Sequence, residues 1–156
     1  MSATPRPVVN ATAVDVAAWP GAPPGFQNRY AQLGQLLGGE LLGGTVYELD
    51  PGERIGPYHY EIGNEECLLV IAGTPTLRHP EGRDVLAAGD IVVFPEGPDG
   101  AHQLINESAA VARVLILSTK REPYGCAYPD SGKLATPGGV FRIADAVDYW
   151  DGESAG

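Results

Sequence analysis

Turns divide the chain into short apolar segments, and this pattern constrains its fold more than any other feature. The sequence has 21 glycines and 14 prolines among 156 residues. Most of those in the middle of the chain lie between apolar segments, where turns require them. The segments recur roughly every eight to twelve residues, which is typical of antiparallel β-sandwiches and barrels. We therefore predict one all-β domain with little helix.

Seven segments have the pattern of a strand. They span residues 45–49, 67–72, 76–78, 84–86, 91–94, 103–105 and 111–117. The run 67–72 is continuously apolar, which predicts a strand buried on both faces. The segments 76–78 and 84–86 flank a Pro-Glu-Gly turn, so we expect them to form a hairpin.

The two ends of the chain lack this pattern. Residues 1–28 are rich in proline, alanine and glycine, which predicts an extended arm suited to pairing with a sheet edge of its own subunit or of a partner. The barrel is expected to span residues 29–119. Residues 120–156 are predicted to be a loop and a C-terminal cover segment, in which 141–150 form one or two helical turns over the outside of the barrel.

The bulk charge and hydropathy exclude two kinds of partner. The formal net charge of −10 repels the phosphate backbone of nucleic acids, so no nucleic-acid partner is expected. No apolar run is long enough to cross a membrane, and the first residues lack the apolar core of a signal peptide. We expect a soluble, cytoplasmic protein without a membrane partner.

Two histidines and several carboxylates are spaced so that they can converge on one site. His59 and Glu61 are two residues apart, so on a strand both side chains face the same side. The chain then turns and returns a carboxylate from Glu65 or Glu66, of which only one can point inward. His102 follows a second turn. Imidazoles combined with carboxylates suit divalent iron, manganese, zinc, nickel or copper better than magnesium or calcium.

Other candidate groups carry weaker signals. Cys67 lies in an apolar strand and is expected to be a buried small hydrophobe. Cys126 follows Tyr-Gly in a loop-like stretch, so we expect it to be exposed and assign it no role. His79 stands beside a turn and is expected to be solvent-exposed. The two cysteines form no disulfide framework.

The first group of site residues resembles a motif of the cupin superfamily. That motif reads Gly, five residues, His-x-His, three or four residues, Glu, six residues, Gly. In this chain six residues separate Gly52 from His59, and Glu61 stands where the second histidine is expected. Glu66 matches the motif glutamate in both counts, because four residues separate it from Glu61 and six separate it from Gly73. The preceding glutamate matches only one count.

The second group resembles the other cupin motif, which reads Gly, five residues, Pro-x-Gly, two residues, His, three residues, Asn. Here Gly89 is followed by five residues, then Pro95 and Gly97, then four residues instead of two. His102 comes next, and Asn106 follows after three residues.

The resemblance implies a fold and a cofactor. The fold would be a jelly-roll barrel (a double-stranded β-helix) with ligands converging inside it, and cupins commonly form dimers, so a homodimer is expected. One divalent transition metal per chain would be bound by His59, Glu61, Glu66 and His102, with iron or manganese favoured over zinc or nickel. Cupins include dioxygenases, isomerases, decarboxylases, sensors and storage proteins, so the fold does not decide the function.

Four alternatives remain open for the role of Glu61 and the state of the site. As a fourth ligand it would lower the net positive charge of the site and favour harder ions. If it points away, His59, Glu66 and His102 form the two-histidine, one-carboxylate set of non-haem iron oxygenases. It would otherwise be a catalytic general base beside the metal. The last alternative is a site that binds no metal tightly.

These inferences predict a metal-binding protein that acts on a small organic molecule. A metal-dependent oxygenase or other oxidoreductase is the first expectation, and a metal-dependent isomerase is the second. A non-catalytic small-molecule-binding or sensor protein is the alternative, so the sequence leaves open whether the chain is an enzyme. Tyr124, Tyr128 and Lys133 are candidate contacts for the small molecule at the mouth of the barrel.

Overall fold

The structure, a computed structural model, describes residues 8–155. Within this range the chain forms thirteen strands, one short α-helix and three 3₁₀ turns. The strands are β1 (Ala17–Ala18), β2 (Arg29–Gln32), β3 (Leu42–Leu49), β4 (Arg54–Ile62), β5 (Glu66–Ala72), β6 (Thr76–His79), β7 (Gly82–Val85), β8 (Ile91–Phe94), β9 (His102–Ile105), β10 (Ala112–Thr119), β11 (Gly125–Tyr128), β12 (Lys133–Thr136) and β13 (Gly139–Arg142).

The strands form two antiparallel sheets that pack face to face. One sheet has the order β1-β2-β3-β10-β5-β8, and the other has the order β13-β12-β11-β4-β9-β6-β7. Side chains from both inner faces form one apolar core, in which Leu49, Leu68, Leu104 and Val114 are almost fully buried. Burial of each such side chain stabilises the fold by roughly 1.5–3 kcal/mol. The prediction of an all-β jelly roll is confirmed.

Each of the seven predicted strands overlaps an observed strand, with one difference in burial. The hairpin of β6 and β7 pairs Thr76 with Val85 and His79 with Gly82. In β5, Leu68 and Val70 are buried, whereas Cys67 and Leu69 are only half-buried. The prediction that this strand is buried on both faces is therefore wrong. Its continuous apolar run supplies one core face and one partly solvated face.

Residues 120–140 differ from the prediction of a loop. They contain β11 and β12 and the start of β13, which extend the seven-stranded sheet beyond β4. β11 pairs with β4 through Cys126 and Glu61, and β12 pairs with β11 through Ala135 and Cys126. These strands are short and interrupted by glycine and proline, so they lack the alternation from which a strand is predicted. Backbone pairing to a neighbouring strand forms them instead.

The C-terminal segment agrees with its prediction in its helical turn and differs from it in burial. The turn is Ile143–Asp145, a 3₁₀ turn within the range predicted to hold one or two helical turns. Phe141, Ile143, Val147 and Trp150 are all more than half exposed. Within this chain they do not cover the barrel.

The N-terminal arm lies along its own subunit from residue 8 onward, and its first seven residues fall outside the described part. β1 pairs with β2 at the edge of the six-stranded sheet. Arg113 on β10 donates hydrogen bonds to the carbonyl oxygens of Ala11 and Val14. Glycines between residues 30 and 42 disfavour a long helix, and the helix observed there, α1 (Leu33–Leu37), has five residues and is followed by Gly38 with φ of 73°. In residues 8–155 no helix has the length and hydropathy to span a membrane.

Candidate metal centre

Neighbouring strands bring the two site histidines together. β4 and β9 pair so that His59 lies directly opposite His102, and the two ring centroids are 4.6 Å apart. Glu66, the first residue of β5, reaches them from the other sheet. Its Oε2 lies 3.3 Å from Nε2 of His102 and 3.9 Å from Nε2 of His59. Three of the four predicted ligands therefore converge inside the barrel.

Backbone carbonyls orient both imidazoles. Nδ1 of His59 lies 2.8 Å from the carbonyl oxygen of Pro57, and Nδ1 of His102 lies 2.9 Å from that of Gly100. A carbonyl oxygen can only accept, so each Nδ1 carries a proton, and each Nε2 faces Glu66. Metal-binding histidines are held in this way. His102 also stacks on Phe94 at a centroid distance of 3.6 Å.

The extra residues in the two motifs are accommodated just before the histidines. In β4 the pairing register with β9 shifts between Ile55 and His59, and Gly56 has φ of 53°. This irregularity lies in the segment of the first motif that contains the additional residue. The second motif has two extra residues, and this region forms the 3₁₀ turn Pro98–Gly100. The insertions therefore leave the histidines in place.

The carboxylate of Glu66 is suited to a bound cation. Its Oε2 is buried and has no hydrogen-bond partner among residues 8–155. A buried carboxylate oxygen without a donor is costly, and a cation removes that cost. Two donor atoms that each lie about 2.1 Å from one ion are roughly 3–3.5 Å apart, close to the separations from Glu66 to the imidazoles. The residues present therefore fit a divalent metal ion.

Burial keeps His59 in the form that binds metal. Desolvation is the main cause that lowers the pKa of His59, and the neighbouring His102 lowers it further. The imidazole of His59 is therefore neutral near pH 7, as a ligand must be.

Glu61 lies beside this cluster instead of within it. Its Oε1 is 3.9 Å from Nε2 of His59. Potential ligand atoms that lie within 4.8 Å of one another form two groups in the described chain, one of His59, Glu66 and His102 and the other of His59, Glu61 and Cys126. Burial raises the pKa of Glu61 to about 7, and the charge of Glu66 adds to the rise.

Cys126 is half-buried and faces Glu61, so the expectation that it is exposed is wrong. Burial raises the pKa of its thiol to about 12, so the thiol stays protonated at neutral pH. Burial also raises the pKa of Tyr128, two residues farther along the same strand. The sequence identified Tyr128 as a candidate contact for the small molecule but gave no signal that Cys126 lies at the site.

The register of strand β5 determines which of the two adjacent glutamates points into the barrel. Glu66 pairs with Phe94 and Ser118, and its side chain points into the barrel, whereas Glu65 is exposed. Asn64, which the sequence did not single out, fixes the preceding turn. Its Oδ1 accepts hydrogen bonds from Oγ1 of Thr119 and from a backbone N–H. That Glu66 binds metal remains a prediction.

Asn106 of the second motif and His79, which belongs to neither motif, have structural roles. Asn106 is fully buried, and its side-chain amide donates to the carbonyl oxygens of Leu49 and Ala110. His79 is half-buried, and its Nε2 lies 3.1 Å from a carboxylate oxygen of Asp84. The expectation that His79 is solvent-exposed is therefore wrong.

A cavity of about 710 Å³ opens beside the cluster of His59, Glu66 and His102, which we call the candidate metal centre. The N-terminal arm contributes Trp19 and Phe26 to its wall, and β11 contributes Cys126 and Tyr128. Tyr124 also lines it. Lys133, the third candidate contact from the sequence, is not among the lining residues, and its Nζ lies 5.2 Å from the centre of the Tyr128 ring.

A second cavity, of about 510 Å³, reaches the same two carboxylates from another direction. It is lined by Glu61 and Glu66 together with polar and charged residues of the segment that follows β10, including Lys120 and Arg121. The centre is therefore accessible from one largely apolar and one polar side.

Comparisons with known proteins agree with this architecture. The sequence profile of the family described as Cupin domain matches residues 45–118. A crystal structure from Acidithiobacillus ferrooxidans, provisionally named as a sugar phosphate isomerase, is 25% identical with a TM-score of 0.73, over 80% of this chain and 82% of that chain. A search of curated proteins finds no match.

Two further solved structures share the fold. One is a sugar phosphate isomerase of a cupin superfamily from Silicibacter pomeroyi, which is 22% identical with a TM-score of 0.76, over 93% of this chain and 98% of that chain. The other is a polyketide cyclase from Streptomyces resistomycificus, which is 22% identical with a TM-score of 0.59, over 75% of this chain and 82% of that chain.

Proposed function

The chain belongs to the cupin superfamily, and from this premise we propose that it is a metal-dependent enzyme that acts on a small organic molecule in its barrel cavity. The observation that carries the proposal is the buried, unpaired Oε2 of Glu66 between two imidazoles whose Nε2 atoms face it. A buried carboxylate oxygen that accepts no hydrogen bond is costly, and a bound cation would remove that cost.

His59, Glu66 and His102 would hold one divalent ion. Three protein ligands leave coordination positions free for the small molecule, as in catalytic metal sites. The ion, when bound, would act as a Lewis acid toward a carbonyl or hydroxyl oxygen of the substrate. Iron and manganese remain the favoured ions, and zinc and nickel are the alternatives.

Isomerisation by proton transfer is the reaction class that we favour. Glu61 lines the cavity beside the three ligands, so its carboxylate stands where it can take a proton from a bound substrate and return it to a neighbouring atom. Two of the similar structures are named as sugar phosphate isomerases. From those names we carry over only the reaction class.

Oxidation is the second candidate, because His59, Glu66 and His102 are the two-histidine, one-carboxylate set of non-haem iron oxygenases. Under either reaction class, the homodimer and the cytoplasmic location remain predictions from the sequence.

Metal content tests the proposal. Protein purified without an affinity tag should contain about one iron or manganese per chain by elemental analysis. His102→Ala should lose the ion while its circular dichroism stays unchanged, and His79→Ala, outside the centre, should retain it. If the wild-type protein takes up none of manganese, iron, cobalt, nickel and zinc, the proposal is wrong.

Isotope exchange separates the two reaction classes. Candidate ketones and hydroxyketones are incubated with metal-loaded protein in D₂O. An isomerase should place deuterium next to the carbonyl, and Glu61→Gln should abolish the exchange while it leaves the metal bound. Oxygen consumption without deuterium incorporation would instead support an oxidoreductase.

A further inference from the structure

We infer that the cavity beside the metal centre takes a neutral molecule with a flat, aromatic body and rejects phosphate esters and other anions. The inference builds on the proposed function, because it takes the occupant of the cavity to be the substrate. It rests on the rings of the wall and on the charges around it.

The side chains that line the cavity suit a flat apolar molecule. The volume of the cavity, about 710 Å³, lies within the range of small-molecule sites, about 300–1,000 Å³. Aromatic rings line it on several sides, and aliphatic side chains lie between them. The rings belong to Trp19, Phe26, Tyr47, Tyr124 and Tyr128, and the aliphatic chains to Ile55, Leu104 and Ile116. Aromatic walls bind flat rings by stacking and edge-to-face contacts.

The N-terminal arm holds part of this wall in position. The ring of Trp19 packs against that of Tyr30 at a centroid distance of 5.1 Å, and Tyr30 lies 6.5 Å from Tyr47. Arg54 lies over the ring of Phe26, 5.4 Å from its centroid. Ring-to-ring contacts therefore hold Trp19 at the edge of the cavity.

The cavity has no cation for an anionic ligand. Within residues 8–155, neither lysine nor arginine lines it, and its charged side chains are the carboxylates of Glu61 and Glu66. Proteins hold phosphate with arginine, lysine or a helix N-terminus. Glu66, and Glu61 in its ionised form, would offset the charge of a divalent ion at the centre and so reduce the net attraction that an approaching anion gains.

Cationic side chains lie near the first cavity without lining it, since Arg54 lies over the ring of Phe26 and Lys133 lies near that of Tyr128. Two others belong to the lining of the other cavity. Lys120 and Arg121 line the 510 Å³ cavity, together with Glu40 and Glu122 and the two carboxylates of the centre. Negative groups therefore outnumber positive ones there too, so that side also offers an anion no net attraction.

A matched ligand pair tests the charge requirement. The dissociation constants of 2-naphthol and 2-naphthyl phosphate are measured by isothermal titration calorimetry, with metal-free and with Mn²⁺-loaded protein. We expect 2-naphthol to bind at least tenfold more tightly than its phosphate ester in both forms. Equal or tighter binding of the ester, or failure of 2-naphthol to bind, would overturn the inference.

A matched pair of variants tests the wall. Trp19→Ala should weaken the binding of 2-naphthol at least fivefold, whereas Trp150→Ala, which removes an exposed tryptophan outside the cavity, should leave it unchanged. Both side chains are more than half exposed, so both variants should fold, which circular dichroism checks. Unchanged binding in Trp19→Ala would contradict the assigned wall.

Metal titration keeps this inference separate from the proposed function. If Mn²⁺ binds and His102→Ala loses it, but 2-naphthol does not bind, the substrate class is wrong and the metal centre stands. If 2-naphthol binds selectively and no metal is taken up, the metalloenzyme proposal fails and the ligand class stands.

Discussion

Glu61 stands where the cupin motif has its second histidine, and the replacement changes the charge of the site. Its carboxylate lies 3.9 Å from Nε2 of His59 and faces Cys126 across a strand pair. In its ionised form it would, together with Glu66, offset the charge of a divalent ion. A histidine at this position would leave the bound ion with a net positive charge that attracts anions.

Substitution of Glu66 and of Glu65 tests which of the two residues binds the metal. Glu66→Gln should weaken the binding of Mn²⁺ at least about tenfold, because the variant lacks the anionic oxygen between the two imidazoles. Glu65→Gln should change the affinity less than twofold, since Glu65 is exposed. Calorimetric titration measures both constants. A larger loss in Glu65→Gln would show that the strand register is shifted by one residue.

At the scale of elements, a glycine allows two strands to approach closely at the end of β5. Gly73 follows β5 with φ of 82°, and a Cβ atom there would lie 2.7 Å from Cα of Ala112 at the start of β10. Gly89 also has a positive φ, 95°, but no atom of the described chain lies within 4 Å of the same position.

Substitution of these two glycines separates backbone strain from steric exclusion. Both Gly73→Ala and Gly89→Ala incur the cost of a left-handed backbone, about 1–2 kcal/mol. Gly73→Ala must also move β10, so it should lower the free energy of unfolding by at least ~1 kcal/mol more than Gly89→Ala does. Urea denaturation measures both values. Equal losses would mean that the turn relaxes without moving β10.

Glu48 on β3 connects three strands and, indirectly, the arm. It accepts hydrogen bonds from Arg29 on β2 at 2.8 Å and from Arg113 on β10 at 2.7 Å. Arg113 in turn donates to the arm at Ala11 and Val14. The hydrogen bond from Arg29 is the main cause that lowers the pKa of Glu48, and Arg113 lowers it further.

The lowered pKa of Glu48 makes its contribution depend on pH. Because the folded-state pKa lies below the ordinary value of 4.5, the contribution is present above pH 4.5 and is lost as the pH falls through the folded pKa. Glu48→Gln should lower the free energy of unfolding by ~1 kcal/mol at pH 7. The difference in the free energy of unfolding between wild type and Glu48→Gln should become smaller below pH 4.5, and urea denaturation measures it.

The control for this series is Glu81→Gln, at the exposed turn between β6 and β7. It should leave the free energy of unfolding at pH 7 nearly unchanged. If the difference between wild type and Glu48→Gln stays constant from pH 7 down to pH 3, the ion pairs of Glu48 do not stabilise the fold.

At the scale of the whole molecule, the centre joins the two sheets. His59 and His102 belong to the seven-stranded sheet, and Glu66 belongs to the six-stranded sheet. An ion held by all three residues would cross-link the layers in the folded state only. Metal binding and folding should therefore be coupled.

This coupling can be measured as a gain in stability. Mn²⁺ at about 100 times its dissociation constant should raise the free energy of unfolding by about 2.7 kcal/mol. EDTA should reverse the gain, and His102→Ala should show none, which urea denaturation with and without Mn²⁺ would detect. An equal gain in His102→Ala would place the bound ion elsewhere.

Local patterns in the sequence determined much of the fold and part of the site. The spacing of apolar segments and turns predicted seven strands, because a strand is recognised by its own alternation and its flanking turns. The period of two placed His59 and Glu61 on one face, and motif counting selected Glu66 over Glu65. These features depend only on residues close together in the chain.

Only the tertiary structure decided what surrounds those residues. It placed Cys126 opposite Glu61, brought Trp19 of the arm to the cavity, and kept Lys133 out of its lining. It also left Glu61 beside the three converging ligands instead of among them. The pairing partner of a strand and the distance between two sheets arise from contacts between residues far apart in the chain. Periodicity and spacing carry no record of such contacts, so the charge and shape of the cavity emerged only from the fold.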